Sequence, residues 1–114
     1  MTPDERTYRF QRLTEMGCVA CRKLGYLCWP VEIHHLNLDG KAGQERRGDE
    51  FTIPLCAWHH QGNPGSRMTP KASETLFGPS LKLHSKRFRA EFGSDNELLA
   101  LTNQWLEQQA EKVV

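Results

Sequence analysis

The segment FTIPLCAWHH, residues 51–60, combines a β-strand pattern, a helix start and three potential metal ligands within ten residues. Its first half predicts a short strand, and the polar, glycine-containing segment 37–50 before it predicts a long hairpin loop. The partner strand is expected within VEIHHL, residues 31–36. A helix is expected to begin at Cys56 and to end at Gly62. The two segments therefore predict a hairpin followed by a short helix.

Helix-start and helix-stop residues predict further helices on both sides of this unit. The predicted helices cover residues 1–16, 69–77 and 79–92, the first of them opened by a capping box from Thr2 to Glu5, and a last helix is opened by a capping box from Ser94 to Glu97. Residues 17–21 predict a tight turn, and residues 26–29 favour a further short strand. The last helix carries an apolar stripe formed by Leu98, Leu101, Trp105 and Leu106. The pattern predicts a single small α+β domain, residues 1–114, with more helix than strand.

Composition excludes several classes of protein. The chain has 114 residues, 38% of them hydrophobic, and a formal net charge of +1. It has no apolar run near the ~20 residues that span a membrane, and its first 16 residues are too charged for a signal peptide. We therefore expect neither secretion nor membrane insertion. Residues 1–90 carry 14 of the 15 basic residues but only 9 of the 14 acidic ones, so this part can present a phosphate-attracting face.

The cysteine spacing indicates a zinc site. Cys18 and Cys21 form a Cys-x2-Cys pair, and Cys56 and His59 form a Cys-x2-His pair. Each spacing lets both ligands converge on one tetrahedral ion. His60, four residues after Cys56, also shares its helix face, so spacing alone does not decide between the two histidines.

Two other interpretations of the cysteines remain. Cys18 and Cys21 can form a redox dithiol, although such pairs usually follow a buried strand at a helix start. Cys28 fits neither metal-binding pair, and we interpret it as a small buried hydrophobic residue on a strand.

Two histidine doublets, at 34–35 and 59–60, contain four of the five histidines. Near neutral pH an imidazole can bind a metal ion or accept a proton. The alternative is that some of them are hydrogen-bonded core histidines. Two doublets on adjacent predicted elements favour a functional site.

These segments resemble a known motif. EIHHL (32–36), a glycine-containing loop and IPLCAWHH (53–60) resemble the HNH endonuclease motif, and the preceding Cys-x2-Cys pair is typical of its zinc-stabilised members. GDEFTIPLCAWHHQG (48–62), followed by GPSLKLHSKRFRAEFG (78–93), is similar to the phage recombination-enhancement nucleases, a RecA-dependent branch of that superfamily.

The resemblance implies a fold and a cellular setting. Residues 17–62 would form a zinc-bound ββα-metal core, preceded by the N-terminal helix at 1–16 and followed by C-terminal helices at 63–114. The protein would be a phage- or prophage-encoded DNA endonuclease in the bacterial cytoplasm, acting in recombination or repair. Its partners would be DNA and a RecA nucleoprotein filament.

The resemblance also assigns roles to the histidines. His59 would complete the zinc site with Cys18, Cys21 and Cys56. His34 and His60 would bind a catalytic Mg²⁺ or Mn²⁺ ion, and His35 would be the general base that activates water. The products would carry a 5′-phosphate and a 3′-hydroxyl. Neighbours on a regular strand point to opposite faces, so His34 and His35 can serve one phosphate only at an irregularity or at the strand end.

The roles of two further residues are not decided by the resemblance. The motif's middle Asn has no counterpart here. Asp49 is the nearest polar residue and would brace the loop, ligate the metal or remain a solvated acid. His84 lies at helical spacing with Leu81, Phe88 and Phe92, so it is expected to face inward. It would be either a third metal ligand or a buried, hydrogen-bonded histidine.

Basic residues in two segments are candidates for DNA contact, with a solvated surface as the alternative. They are Lys41, Arg46 and Arg47 in the loop, and Lys82, Lys86, Arg87 and Arg89 near the 79–92 helix. We find no base-reading motif, so little sequence specificity is expected. The competing hypothesis for the whole chain is a zinc module that binds DNA or protein without cutting.

Overall fold

A computed structural model describes residues 1–37 and 48–111. Within these ranges the chain forms six helices and two strands, which confirms the predicted α+β class. The elements are α1 (Pro3–Met16), α2 (Val19–Lys23), β1 (Glu32–His35), β2 (Thr52–Leu55), α3 (Ala57–Gln61), α4 (Pro70–Phe77), α5 (Ser85–Phe92) and α6 (Asp95–Glu111).

The two strands form an antiparallel pair, in which His34 lies opposite Ile53 and His35 lies opposite Thr52. All four residues of β2 are buried, whereas β1 is exposed or half-buried along its length. The buried strand β2 contacts α1, α2, α3 and α6. The histidines of β1 therefore stand on a strand that is fixed on one side by the core and accessible on the other.

The first helix is formed as the sequence predicts. The Thr2 side chain accepts a hydrogen bond from the Glu5 N–H, and the Glu5 carboxylate accepts one from the Thr2 N–H. The helix ends at Gly17, where φ is +86° and ψ is 179°. Only glycine adopts this conformation readily. Gly17 thus lets the chain turn from α1 directly into the cysteine segment.

The predicted tight turn at residues 17–21 is wrong, since this segment enters the short helix α2. Cys18 is its N-cap, and its sulfur accepts a hydrogen bond from the Cys21 N–H. The cap satisfies one of the unpaired N–H groups of the first turn. One helical turn therefore sets the separation of the two cysteines.

Residues 26–29 do not form a strand, so the expectation that Cys28 lies on one is wrong. The Cys28 carbonyl accepts a hydrogen bond from the Cys18 N–H instead of joining a sheet. This backbone bond holds residues 26–29 against the corner between α1 and α2.

The predicted helix at 79–92 begins later, at Ser85. The Leu81 N–H donates to the His59 carbonyl at 2.8 Å, so residues 79–83 follow the end of α3 instead of forming helix. His84 is the N-cap of α5. A tertiary hydrogen bond has overridden the local helical pattern.

The last helix opens with the predicted capping box, because Ser94 and Glu97 exchange side-chain-to-backbone hydrogen bonds. Its apolar stripe packs on the core, with Leu98 fully buried and Leu101, Trp105 and Leu106 partly buried. The Arg22 guanidinium lies 4.4 Å from the Trp105 ring centroid, a cation–π contact that joins α2 to α6.

Among residues 1–37 and 48–111, no helix combines the length and the apolar character that crossing a bilayer requires.

Gly17→Ala is expected to destabilise the protein more than Gly25→Ala. Both glycines have positive φ, +86° and +91°. A Cβ at Gly17 would lie 3.0 Å from the Cys28 carbonyl oxygen, whereas a Cβ at Gly25 meets no atom within 4 Å. We expect the free energy of unfolding to fall by about 3 kcal/mol and about 1 kcal/mol respectively, measured by denaturant titration. Equal losses would show that the contact with Cys28 does not constrain this corner.

Candidate functional site

The first site is a buried cluster formed by Cys18, Cys21, Cys56 and His59. Two helix starts build it in the same way. Cys18 caps α2 and Cys56 caps α3, and the second ligand of each pair follows one turn later. The antiparallel strands and their flanking helices bring these two starts together. The structure therefore unites the four residues that the sequence predicts as zinc ligands.

The distances between ligand atoms fit a tetrahedral zinc ion. The Sγ atoms of Cys21 and Cys56 are 3.8 Å apart. The Nδ1 atom of His59 lies 3.6, 3.4 and 3.4 Å from the Sγ atoms of Cys18, Cys21 and Cys56. Zinc bonds of ~2.3 Å to sulfur and ~2.0 Å to nitrogen give tetrahedral edges of ~3.8 Å and ~3.6 Å. The donor set can therefore hold zinc without rearrangement.

Contacts on the side of the ring away from the sulfurs also orient His59. Its Nε2 atom lies 2.8 Å from the Phe77 carbonyl oxygen and can donate to it, which leaves Nδ1 directed at the sulfurs. Its ring stacks edge-on against Phe92 at 5.1 Å. A ligand histidine whose other nitrogen donates to a carbonyl is typical of metal sites. This arrangement selects His59 over His60.

The four side chains of the cluster shift one another's pKa values. Hydrogen bonding with Cys18 and Cys21 holds the pKa of the Cys56 thiol well below its usual value. Hydrogen bonding with Cys18 and Cys56 raises the pKa of Cys21. Burial disfavours protonation of His59, but bonding with the sulfurs of Cys18 and Cys56 raises its pKa to about 10. Zinc binding would require the three thiols and His59 to lose their protons, so the affinity of the cluster for the ion falls as the pH is lowered.

The geometry favours a metal site over a redox dithiol. A dithiol needs only Cys18 and Cys21, and leaves the convergence of Cys56 and His59 on them unexplained. Cys28 is half-buried beside Cys21 and Cys56, but its sulfur is not one of the four converging ligand atoms. Burial raises its pKa to about 11, so it is a neutral thiol at pH 7.

A second cluster lies where β1 meets α3. The His34 Nδ1 atom and the His60 Nε2 atom are 3.1 Å apart, with the rings edge-on. The Nδ1 atom of His60 lies 2.7 Å from a carboxylate oxygen of Glu32. A Nδ1–H bond to Glu32 leaves the Nε2 lone pair of His60 directed towards His34. Two imidazole nitrogens thus converge beside a carboxylate.

His35 has different partners. Its Nε2 atom lies 2.9 Å from Asp49 Oδ1, and its ring meets Phe10 of α1 edge-on at 6.0 Å. Since successive side chains of a strand point to opposite faces, His34 turns towards α3 and His35 towards α1. The structure brings His35 together with Asp49, and His34 together with His60.

A groove of about 470 Å³ opens beside the second cluster. It is lined by His34, Asn37, His60, Gln61, Leu81, Lys82, Ser85, Arg89 and Asp95. Lys82 is exposed, and Arg89 forms an ion pair with Asp95 at 3.2 Å. The groove therefore places the Lys82 ammonium near the imidazole pair, whereas the charge of Arg89 is balanced by Asp95 on the same lining.

The predicted DNA-contact residues fall into three groups. Lys82 and Arg89 line the groove. Lys86 and Arg87 are exposed on α5, and Arg87 pairs with Glu74 at 3.3 Å. The three residues of the predicted loop, Lys41, Arg46 and Arg47, lie outside the described residues.

His84 is engaged on both ring nitrogens away from the imidazole pair. Its Nδ1 atom accepts a hydrogen bond from the Ser80 N–H at 3.1 Å, and Nε2 lies 3.0 Å from Glu74 Oε1. It is not among the described residues that line the groove. The contacts favour a structural, hydrogen-bonded histidine over a third metal ligand.

Sequence reasoning missed Glu32. It precedes His34 by two residues on β1, so the two share one face of the strand. A carboxylate two residues before a candidate ligand on a predicted strand was the sequence signal that could have identified Glu32.

We expect Cys18→Ser to remove zinc and Cys28→Ser to retain it. A serine hydroxyl is a poor zinc ligand, and Cys28 is a neighbouring cysteine that is not one of the four converging ligands, which makes it a matched control. The readouts are the zinc content of the purified chain, expected at about one per wild-type molecule, and the unfolding midpoint. A Cys18→Ser protein with full zinc content would contradict the assignment.

Comparison with known proteins gives one family. A family model described as recombination enhancement, RecA-dependent nuclease, matches residues 2–107. No curated protein matches the chain. The match includes both clusters and the groove, and it confirms the part of the resemblance at residues 48–62 and 78–93 that concerns RecA-dependent recombination-enhancement nucleases. The chain therefore belongs to the family of RecA-dependent nucleases of recombination enhancement.

Proposed function

We propose that this nuclease is a metal-dependent DNA endonuclease of the HNH type, with residues 17–62 as a zinc-stabilised ββα-metal core. Family membership supports the nuclease activity. The observation that carries the finer proposal is the 3.1 Å approach of His34 and His60 across β1 and α3, next to the His35–Asp49 pair. The proposed substrate bond is a phosphodiester of DNA.

In this proposal His34 Nδ1 and His60 Nε2 hold a Mg²⁺ or Mn²⁺ ion. Adjacent ligands of an octahedral ion at ~2.1 Å are ~3.0 Å apart, which agrees with the 3.1 Å between these two nitrogens. A divalent cation bound there supplies positive charge for the phosphate oxygens and the leaving oxygen. Glu32 keeps the proton of His60 on Nδ1, so that Nε2 remains free to bind.

His35 is the proposed general base. Donation from its Nε2–H to Asp49 leaves a lone pair on Nδ1, and this atom would take the proton from the attacking water. A carboxylate that fixes an imidazole in one tautomer prepares the other nitrogen for proton transfer. Asp49 thus has the bracing role among its candidate roles.

The opposite orientations of His34 and His35 are compatible with one site. His35 is the last residue of β1, so the chain leaves the strand directly after it. A phosphate placed across the end of the strand can then meet both side chains. Attack of water on phosphorus would release a 3′-hydroxyl and leave a 5′-phosphate.

The proposed DNA path follows positive charge. Lys82 and Arg89 line the groove beside the imidazole pair, and Lys86 and Arg87 extend this surface along α5. Lys41, Arg46 and Arg47, in the segment between the strands, are proposed as further phosphate contacts. Contacts of this kind position DNA without reading its sequence.

His35→Ala is expected to lower DNA cleavage by about 10²- to 10⁴-fold, because the attacking water loses its proton acceptor. Nicking of supercoiled plasmid in Mg²⁺ or Mn²⁺ measures this, with one arm lacking RecA and one containing a RecA filament on single-stranded DNA. Both arms are needed because the family is RecA-dependent.

Zinc content serves as the folding control for His35→Ala. Equal cleavage by a zinc-loaded His35→Ala protein would reject His35 as the base. If the wild-type protein cleaves in neither arm but retards DNA in a gel, the non-catalytic zinc module would replace the nuclease proposal.

Glu32→Gln is expected to weaken divalent-ion binding by about 10- to 100-fold, because the carboxylate that orients His60 is lost. The measurement is the Mn²⁺ concentration that gives half-maximal cleavage, together with calorimetric titration of Mn²⁺ into the zinc-loaded protein. Glu74→Gln is the matched control, since Glu74 bonds to His84 instead. An equal effect of Glu74→Gln would restore His84 as a metal ligand.

A further inference from the structure

Thr52 connects the candidate base to the rest of the fold. It is fully buried at the start of β2, where it lies opposite His35 in the sheet. Its hydroxyl donates a hydrogen bond to the Asp49 carbonyl at 2.8 Å. This bond spans three residues and fixes the turn from which the Asp49 side chain reaches back to His35.

Arg9 of α1 holds Thr52 from the other side. Its Nε donates to the Thr52 hydroxyl at 2.9 Å, and a terminal nitrogen donates to the Thr52 carbonyl at 2.7 Å. The second terminal nitrogen donates to the Asn103 side chain on α6 at 2.9 Å. The three donor nitrogens of Arg9 therefore connect α1 and α6 to Thr52 of β2, an arrangement that only a guanidinium can provide.

The turn itself is closed by backbone bonds. The Phe51 N–H donates to the Gly48 carbonyl at 2.9 Å, and the Leu36 N–H donates to the Phe51 carbonyl at 3.0 Å. These bonds set the path of the chain, but they do not fix the orientation of the peptide group that contains the Asp49 carbonyl. The bond from the Thr52 hydroxyl to the Asp49 carbonyl restrains that peptide.

We infer that Arg9 and Thr52 are positioning residues that hold the Asp49 carboxylate on His35, and so keep the proton of His35 on Nε2 and the lone pair on Nδ1. This inference rests on the proposed function. Neither residue is a catalytic residue, since both act through Asp49. It assigns α1, which lies outside residues 17–62, a role in the proton transfer.

The test compares Thr52→Val with Thr52→Ser. Valine keeps the shape of threonine but removes the hydroxyl, whereas serine retains it. We expect Thr52→Val to lower kcat by about 10- to 100-fold with KM unchanged, and Thr52→Ser to keep the kcat of the wild-type protein. Nitrogen-15 NMR of the His35 ring gives a readout independent of cleavage. The wild-type protein should show a single Nε2–H tautomer, and Thr52→Val a mixture of tautomers.

Arg9→Lys is the second variant, because lysine keeps the charge but cannot make the three directed bonds. It should change kcat and the His35 tautomer in the same direction as Thr52→Val, with zinc content preserved. If Thr52→Val does not fold, the kcat and the His35 tautomer of Arg9→Lys test the positioning role.

The outcomes separate this inference from the proposed function. If zinc-loaded Thr52→Val has the wild-type kcat and the wild-type His35 tautomer while His35→Ala is inactive, the positioning role is overturned and the proposed function stands. Equal losses in Thr52→Val and Thr52→Ser would also overturn it, since the hydroxyl would then not be responsible. Full activity of His35→Ala would overturn the base itself.

Discussion

The convergence of three sulfurs and one imidazole at the start of α3 is the constraint on which the rest of the structure depends. The cluster joins α2 to the junction of β2 and α3, two segments that are 35 residues apart along the chain at Cys21 and Cys56. His59 extends the connection further. Its backbone carbonyl accepts from Leu81, its ring nitrogen reaches the Phe77 carbonyl, and its ring packs on α5. A chain of this size buries a limited apolar core, so a zinc ion bound at this junction would supply a large part of what holds α3 in place.

The same five-residue helix then supplies the second cluster. His59 and His60 are consecutive and point in directions about 100° apart on a helix, so one can face the core while the other faces β1. His59 is fully buried, and His60 is half-buried against His34 and Glu32. Because one rigid turn carries both, the position of His60 depends on the ligands of the first cluster. An isolated helix of this length would not hold that geometry.

The features that sequence could predict were those with local causes. The two capping boxes, the two short strands and the Cys-x2-Cys and Cys-x2-His pairs follow from spacing within a few residues. The choice between His59 and His60 did not, because both share a helix face with Cys56. The Phe77 carbonyl and the apolar rings behind His59 decide it, and these lie far along the chain. The start of α5 was predicted too early for the same reason, since the bond from Leu81 to His59 is tertiary. The contacts of Arg9 join residues 43 and 94 positions apart, which periodicity cannot show.

The small number of protein ligands in the proposed catalytic site has a consequence for how the enzyme would work. His34 and His60 supply two of the roughly six positions around a hard divalent cation, and imidazole is not its preferred ligand. With no further ligand proposed among residues 1–37 and 48–111, the remaining positions would fall to water or to phosphate oxygens. DNA held by the basic surface of α5 would therefore complete the coordination, and its binding and that of the cation would reinforce each other by the same factor. A site of this kind has low affinity for the cation until a phosphate is held in the groove. Activity would then depend on how the DNA is presented, which agrees with membership of a family described as RecA-dependent.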